Sequence, residues 1–282
     1  MPKIFLHTPR DGLLAVQPLM IFAITLSMAI LDPSWSWWVA TGLLQSWLIC
    51  NALNSSLHHH SHWSTFVNPK LDRLYELFLS MLTGTQLTSW RVAHLKHHKW
   101  INDRPVDGIT KDPVSVFAAG KNGQRTLFWN YAFGAANNRV ERLFSKKTSY
   151  VELFSNKTHY ERIVCWLWII LLFIINPAYG LWMLLVFYFG WMQDGAVSYG
   201  EHWGVLDRRG DTTQDSIGIY SRWYNIIGFN AGYHQEHHNQ PRLHWTRLPE
   251  ITQNMHPDRK IIGGMHVLNN PFWQDFKALF TK

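Results

Sequence analysis

The sequence predicts an all-α membrane protein, a single domain over 1–282 with about four transmembrane helices in two hairpins and a cytoplasmic histidine-rich cap. Three observations carry this. Hydrophobic residues make up 47% of the chain, yet the mean hydropathy is only -0.14, so apolar segments must alternate with basic, histidine-rich ones. Four apolar stretches stand out: Leu13–Leu31, Trp35–Leu53, Ile163–Ile175 and Ala178–Val197. All 26 Lys and Arg fall in 1–12, 55–162 and 201–282, and none falls in the connections Asp32-Pro33-Ser34 and Asn176-Pro177. By the positive-inside rule, the N-terminus, the central segment and the C-terminal segment then lie on the cytoplasmic side.

The first two spans, about 13–31 and 35–54, have the roughly 20 residues that cross a ~30 Å hydrocarbon core. The first lacks a small-x-small exit and runs at once into the second, which argues against a cleaved leader. A helix continuing from Trp35 to His62 would be about 42 Å long, so its lower end projects beyond the core carrying His58 and His62. Leu71 to Trp90 is apolar but punctuated by charge and by Thr83-Gly84-Thr85. It reads as one or two interfacial helices, because a fifth crossing would move the next histidines to the wrong side. The third span, about 163–176, is short, and a helix from about Val151 would carry polar turns ahead of its apolar end. Asn176-Pro177 reads as a turn rather than a kink in one long helix. The fourth span, about 178–199, extends as a helix of about 37 Å to His202 and delivers Glu201 and His202 to the same side.

The net charge of +7 is in part a topology signal, and no nucleic-acid motif accompanies it, so no nucleic-acid partner is expected. Cys50 and Cys165 both sit in apolar spans, which excludes a disulfide framework, a CxxC redox pair and cysteine-ligated zinc or iron–sulfur centres. Metal binding would fall to histidine.

The pattern His-x-x-His-His occurs twice, at His94, His97, His98 and at His234, His237, His238. With 16 His in 282 residues, chance placement gives this triple about 0.05 times per chain. On a helix, positions i, i+3 and i+4 share a face, so each triple can converge on one point, and a neutral imidazole offers a lone pair to a metal. His58 and His62 form a third i, i+4 pair. His59 and His60 point away from that face, as ring supports or exposed groups, and the isolated His7, His159 and His256 read as satisfied or solvent-facing rings. His202 is the ninth candidate. Four or five nitrogens per ion would suit two transition metals with positions left open, iron first and zinc as competitor.

The order HxxxH, HxxHH, HxxHH, with the first box at the end of a second membrane helix, resembles the integral-membrane fatty acid desaturase and hydroxylase superfamily. The resemblance covers nearly the whole chain. The stretch from Asn230 to His238, continuing through Pro241 to Leu248-Pro249, is similar to the last box of fatty acid desaturases. The resemblance implies a non-haem di-iron centre, with two Fe ions, O2 as co-substrate, and oxidation of an unactivated C–H bond in a fatty-acyl or other long apolar chain taken from the bilayer. The segment Glu201-His202-Trp203-Gly204 also resembles a motif of alkane monooxygenases. Desaturation is therefore the leading expectation, beside hydroxylation, ketolation or oxidative decarboxylation of an alkane, carotenoid or free fatty acid. A non-catalytic metal-binding membrane protein or zinc transporter is a rival of another class; transport would want ionisable residues inside the spans, and those present stand at the ends, such as Asp194.

No catalytic residue beyond the nine ligands is assigned. Glu201 and Glu236 are expected to orient ligand rings, and Asp103 or Asp107 could do so, although a solvated loop accounts for the two aspartates more simply. No haem, flavin or cysteine-cluster motif is visible, so an external ferredoxin, rubredoxin or cytochrome-type donor is implied, docking on the basic cytoplasmic face. Residues 121–162 carry eight Lys or Arg against three Glu and contain a near-repeat, Phe144 to Tyr150 and Phe154 to Tyr160. Its period of ten is out of phase with a helical turn, so it reads as a local duplication; the alternative is a basic surface for an acidic carrier protein, coenzyme A phosphates or anionic lipid.

Overall fold

The computed structural model describes residues 3–107, 109–118, 120, 123–144, 155–203, 216–252 and 255. Its described residues are helical, with no strand and only two isolated bridge pairs, Phe5 with Phe66 and Val106 with Ile109. The helices are α1 (Val16–Leu31), α2 (Trp35–Ala52), α3 (His58–His62), α4 (Pro69–Thr83), α5 (Leu87–Trp100), α6 (Phe128–Phe144), α7 (Ser155–Ile175), α8 (Pro177–His202), α9 (Arg222–Ile227), α10 (His234–Asn239) and α11 (Leu248–Ile251). They fall into two compact units, one drawn from Met1–Arg91 and Ala136–Gln193, the other from Val92–Ala135 and Asp194–Lys282. Among the described residues, two helices are long and apolar enough to cross a membrane, Pro9–Leu31 and Asn156–Ile175. The expected start of the third helical segment near Val151 and half of the near-repeat (145–150 and 154) lie outside the described residues.

In the first unit α1 packs along α2 and α4 along α7. Thr8 opens the first helical segment as a capping box with Asp11, and Asp32 closes α1 in the left-handed region at φ 44. Pro177 occupies the first position of α8, where its missing N–H costs no helical hydrogen bond, so Asn176-Pro177 is a turn. Asn176 Nδ2 donates to Asp32 Oδ1 at 2.8 Å and ties that turn to the end of α1.

Leu48, Ile49, Leu79, Leu172, Met183 and Phe187 form the core of this unit. Some polar groups inside it are matched in pairs. Gln45 donates to Thr25 at 2.6 Å and accepts from the Tyr179 hydroxyl at 3.2 Å, joining α1, α2 and α8. Such bonds specify which faces of apolar helices meet. Gly42 lets Trp182 approach: an added Cβ would lie 2.7 Å from its indole ring. Leu43, Leu167, Ile170, Ile174 and Leu181 point outward and stay exposed, as apolar side chains do on helices that are apolar all round.

The helical run from Trp35 to His62 is continuous, but Leu53–Leu57 forms a π turn between α2 and α3. There Ser55 donates to Gln17 at 2.8 Å. Below it, Arg73 on α4 bridges Glu76 at 2.7 Å and Glu161 of α7 at 2.6 Å. Glu161 is fully buried and also accepts from the Thr88 backbone and hydroxyl at 2.9 and 2.6 Å, so its charge is well compensated.

The second unit has a smaller core of Val116, Phe117, Phe128 and Tyr199. Tyrosine hydroxyls tether the 101–127 loop: Tyr131 donates to Val114 O at 2.6 Å and Tyr199 to Thr126 O at 2.9 Å.

Candidate metal centre

The second unit holds seven of the nine candidate ligands. α5 presents His94, His97 and His98, the end of α8 presents His202, and the six-residue α10 presents His234, His237 and His238. Six of these rings are buried, and His98 is partly exposed. The i, i+3, i+4 spacing puts each triple on one helix face, and the faces turn toward a common space. His97 Nε2 lies 3.1 Å from His202 Nε2, which is 3.3 Å from His234 Nε2. His98 Nε2 lies 2.9 Å from His94 Nε2 and 3.0 Å from His237 Nε2. His238 stacks among them, with ring centroids 4.4 Å from His234 and 4.5 Å from His98.

Those separations test the fit of a metal. Two imidazole nitrogens bound at about 2.1 Å, near a right angle, stand ~3.0 Å apart. The Nε2 atoms here already do, and the metal-capable group His97, His202, His238 has all its donor atoms within 4.8 Å of one another. Burial, and then the neighbouring His234, His98, His97 and His202 rings, holds His238 well below the ordinary imidazole range, so it stays neutral with a lone pair to give. The all-nitrogen donor set suits a divalent transition ion and disfavours calcium or magnesium.

The first unit holds the other two. His58 and His62 lie one turn apart, ring centroids 5.4 Å, and His58 Nδ1 is 3.3 Å from Asn54 O. Burial, then His58, His59 and Arg91, pushes His62 down to about 2, leaving that ring neutral too.

The carboxylates divide differently from the sequence expectation. Glu201 Oε2 is 3.5 Å from His234 Nε2. Glu236 is fully buried and accepts from the Tyr220 hydroxyl at 2.9 and 3.1 Å. Asp103 is buried rather than solvated, because its carboxylate accepts the Lys111 N–H at 2.8 Å and organises the loop. Asp107 occupies a left-handed turn at φ 53. The ring-orienting aspartate is Asp112, which sequence reasoning missed. Fully buried, its Oδ2 accepts from His97 Nδ1 at 2.9 Å and from the Asn102 N–H at 3.0 Å, and its Oδ1 accepts the Val114 N–H at 3.0 Å. With Nδ1 donating there, the His97 lone pair is on Nε2, facing the cluster. The only hint in the sequence is the turn-forming Asp112-Pro113 pair, which says nothing about proximity to His97. His59 and His60 are buried, not exposed, since α3 packs within the unit rather than projecting from it.

The position of α10 depends on Gly232. Its N–H donates to Asn225 Oδ1 at 3.0 Å and its carbonyl accepts from Ile219 at 2.7 Å, two residues before His234. A Cβ there would stand 2.2 Å from Ile219 O.

Comparison with known proteins gives a consistent picture. The profile described as "Fatty acid desaturase" matches residues 33–263. A sphingolipid delta(4)-desaturase of Candida albicans is 25% identical over 223 residues, covering 71% of this chain and 57% of that protein. One from Komagataella phaffii is 24% identical over 210 residues, covering 71% and 56%. One from Drosophila melanogaster is 24% identical over 277 residues, covering 88% and 75%. The chain thus spans little more than half the length of the first two relatives. No solved structure matches.

Proposed function

Because the chain belongs to the fatty acid desaturase family, we propose that it is an O2-dependent membrane oxidoreductase that desaturates a long apolar chain of a lipid. The observation that carries this reading is the convergence of seven imidazoles, six of them Nε2 to Nε2 at 2.9–3.3 Å, in a chain of that family. The relatives named as sphingolipid delta(4)-desaturases make a sphingolipid chain the first substrate to assay, ahead of other fatty-acyl lipids.

The ligand set for two iron ions is His94, His97, His98, His202, His234, His237 and His238, with His58 and His62 added by the family's three-box pattern. When bound, the iron supplies activation of O2 and abstraction of hydrogen from an unactivated C–H bond. The protein's own part is to hold that set. Asp112 fixes the His97 tautomer, Tyr220 anchors the Glu236 carboxylate within the last box, and burial keeps the His62 and His238 rings neutral. Four crossings by α1, α2, α7 and α8, with basic segments on the cytoplasmic side, would let an apolar substrate approach from the bilayer. Electrons would come from an external ferredoxin, rubredoxin or cytochrome-type donor meeting the basic face.

Mass spectrometry of lipids from cells expressing the chain tests the reading. A product two mass units lighter, absent with His98→Ala, is expected. Labelled O2 retained in the product would instead show hydroxylation, and unchanged lipids with wild-type protein would refute both.

A further inference from the structure

One cluster of metal-capable side chains uses none of the nine box histidines. His60, Asp72 and Glu76, all in the first unit, place their donor atoms within 4.8 Å of one another. His60 is 1% exposed, and its Nδ1 is 2.8 Å from the Thr65 hydroxyl, which fixes the ring. Its Nε2 then points between Glu76 Oε1 at 3.8 Å and Asp72 Oδ2 at 3.9 Å, too far for a hydrogen bond to either. That Nε2 is buried with no hydrogen-bond partner. A polar atom in that position is costly unless a further group is bound.

The carboxylates are arranged to receive one. Asp72 Oδ1 is taken by the Phe66 N–H at 2.9 Å, which turns Oδ2 toward His60. Glu76 Oε2 meets Arg73 at 2.7 Å, while Oε1 meets Arg91 at 2.9 Å and keeps a second lone pair. Three buried carboxylates (Asp72, Glu76, Glu161) stand against two half-buried guanidiniums (Arg73, Arg91), a net charge of one negative. A divalent ion reverses the sign of that imbalance without enlarging it. Asp72, Glu76, Arg73 and Arg91 also line a half-open cavity of about 780 Å³, an entry path with room for water as a fourth ligand.

We propose that His60, Asp72 and Glu76 bind a divalent cation of the zinc class, a structural clamp joining α3, which carries His58 and His62, to α4. One imidazole and two carboxylates make a mixed nitrogen and oxygen set that suits zinc, with manganese as competitor. The donor separations of 3.8–3.9 Å exceed the ~3.4 Å edge of a tetrahedron with ~2.1 Å bonds, so each donor closes by a few tenths of an ångström on binding.

The test is zinc stoichiometry on the full-length protein in detergent, equilibrated with zinc chloride, dialysed and measured by mass spectrometry. Wild type should hold one more equivalent per chain than either His60→Gln or Asp72→Asn, and His97→Ala should keep that equivalent. Zinc should also raise the melting midpoint of wild type by more than that of Asp72→Asn, since the box histidines are present in both. Equal zinc in wild type and both folded variants would overturn the proposal. Should both variants fail to fold, zinc-edge X-ray absorption on wild type decides: a shell of one imidazole with carboxylate oxygens supports the site, and its absence refutes it. Neither result depends on desaturase activity.

Discussion

Asp112→Asn is the sharpest single perturbation of the candidate metal centre. Three N–H groups converge on the buried carboxylate, from His97 Nδ1, Asn102 and Val114, at 2.9–3.0 Å. Asparagine keeps one acceptor oxygen and puts an NH2 where the other was, so at least one N–H faces another donor. If the NH2 faces His97, the ring must change tautomer and present Nε2–H to the cluster. Losing one charge-assisted hydrogen bond costs about 1.5–3 kcal/mol. Disrupting a partner that orients a ligand histidine typically weakens metal binding about 10–100-fold, or ~1.4–2.7 kcal/mol. The two routes agree, so the expected outcome is a 10–100-fold loss of iron affinity in a protein that still folds. Iron titration followed by elemental analysis measures it, with circular dichroism as the control for folding. Wild-type affinity in Asp112→Asn would refute the role, and equal losses of helix and metal would make Asp112 a fold residue instead.

Gly232→Ala should displace α10, since the new Cβ would stand 2.2 Å from Ile219 O, and metal content should fall while total helicity changes little. Gln45→Leu removes two interhelical bonds and should lower stability by about 0.6–1.7 kcal/mol per bond, read as a lower melting midpoint in detergent. Glu76 supplies a pH dependence. Burial alone would raise its carboxyl, but His60, Arg91 and Arg73 outweigh it and hold the group below the ordinary range. Because the folded value is depressed, its stabilisation is fully present above about pH 4.3 and is lost as pH falls toward the folded value. The melting gap between wild type and Glu76→Gln should therefore be widest near neutrality and close in acid; a gap constant down to pH 3 would contradict the ion-pair network.

The helices and the clustering of the histidine triples were legible because both follow from local spacing. Apolar stretches marked α1, α2, the end of α7 and α8, and the i, i+3, i+4 rule placed His94, His97 and His98 on one face of α5. His202 was legible from helix length, since the run from the Asn176-Pro177 turn ends there. What stayed hidden depends on contacts distant in sequence. Asp112 reaches His97 through an irregular loop, and Arg73 meets Glu161 across 88 positions. His60 was misread because the helical-face argument considered only the side shared by His58 and His62, while the opposite side packs against α4.

The π turn at Leu53–Leu57 has an implication for how this helix tolerates change in length. A π turn is an α-helix with one residue inserted. Deleting a residue from the regular α-helix before it would turn everything after by about 100° relative to what precedes it, and His58 and His62 would move together away from the side of the run they now occupy. Deleting a residue within the π turn would only restore regular α-helix and leave the flanking faces nearly in register. The run from Trp35 to His62 should therefore accept the loss of one residue at Leu53–Leu57 far better than in Trp35–Ala52.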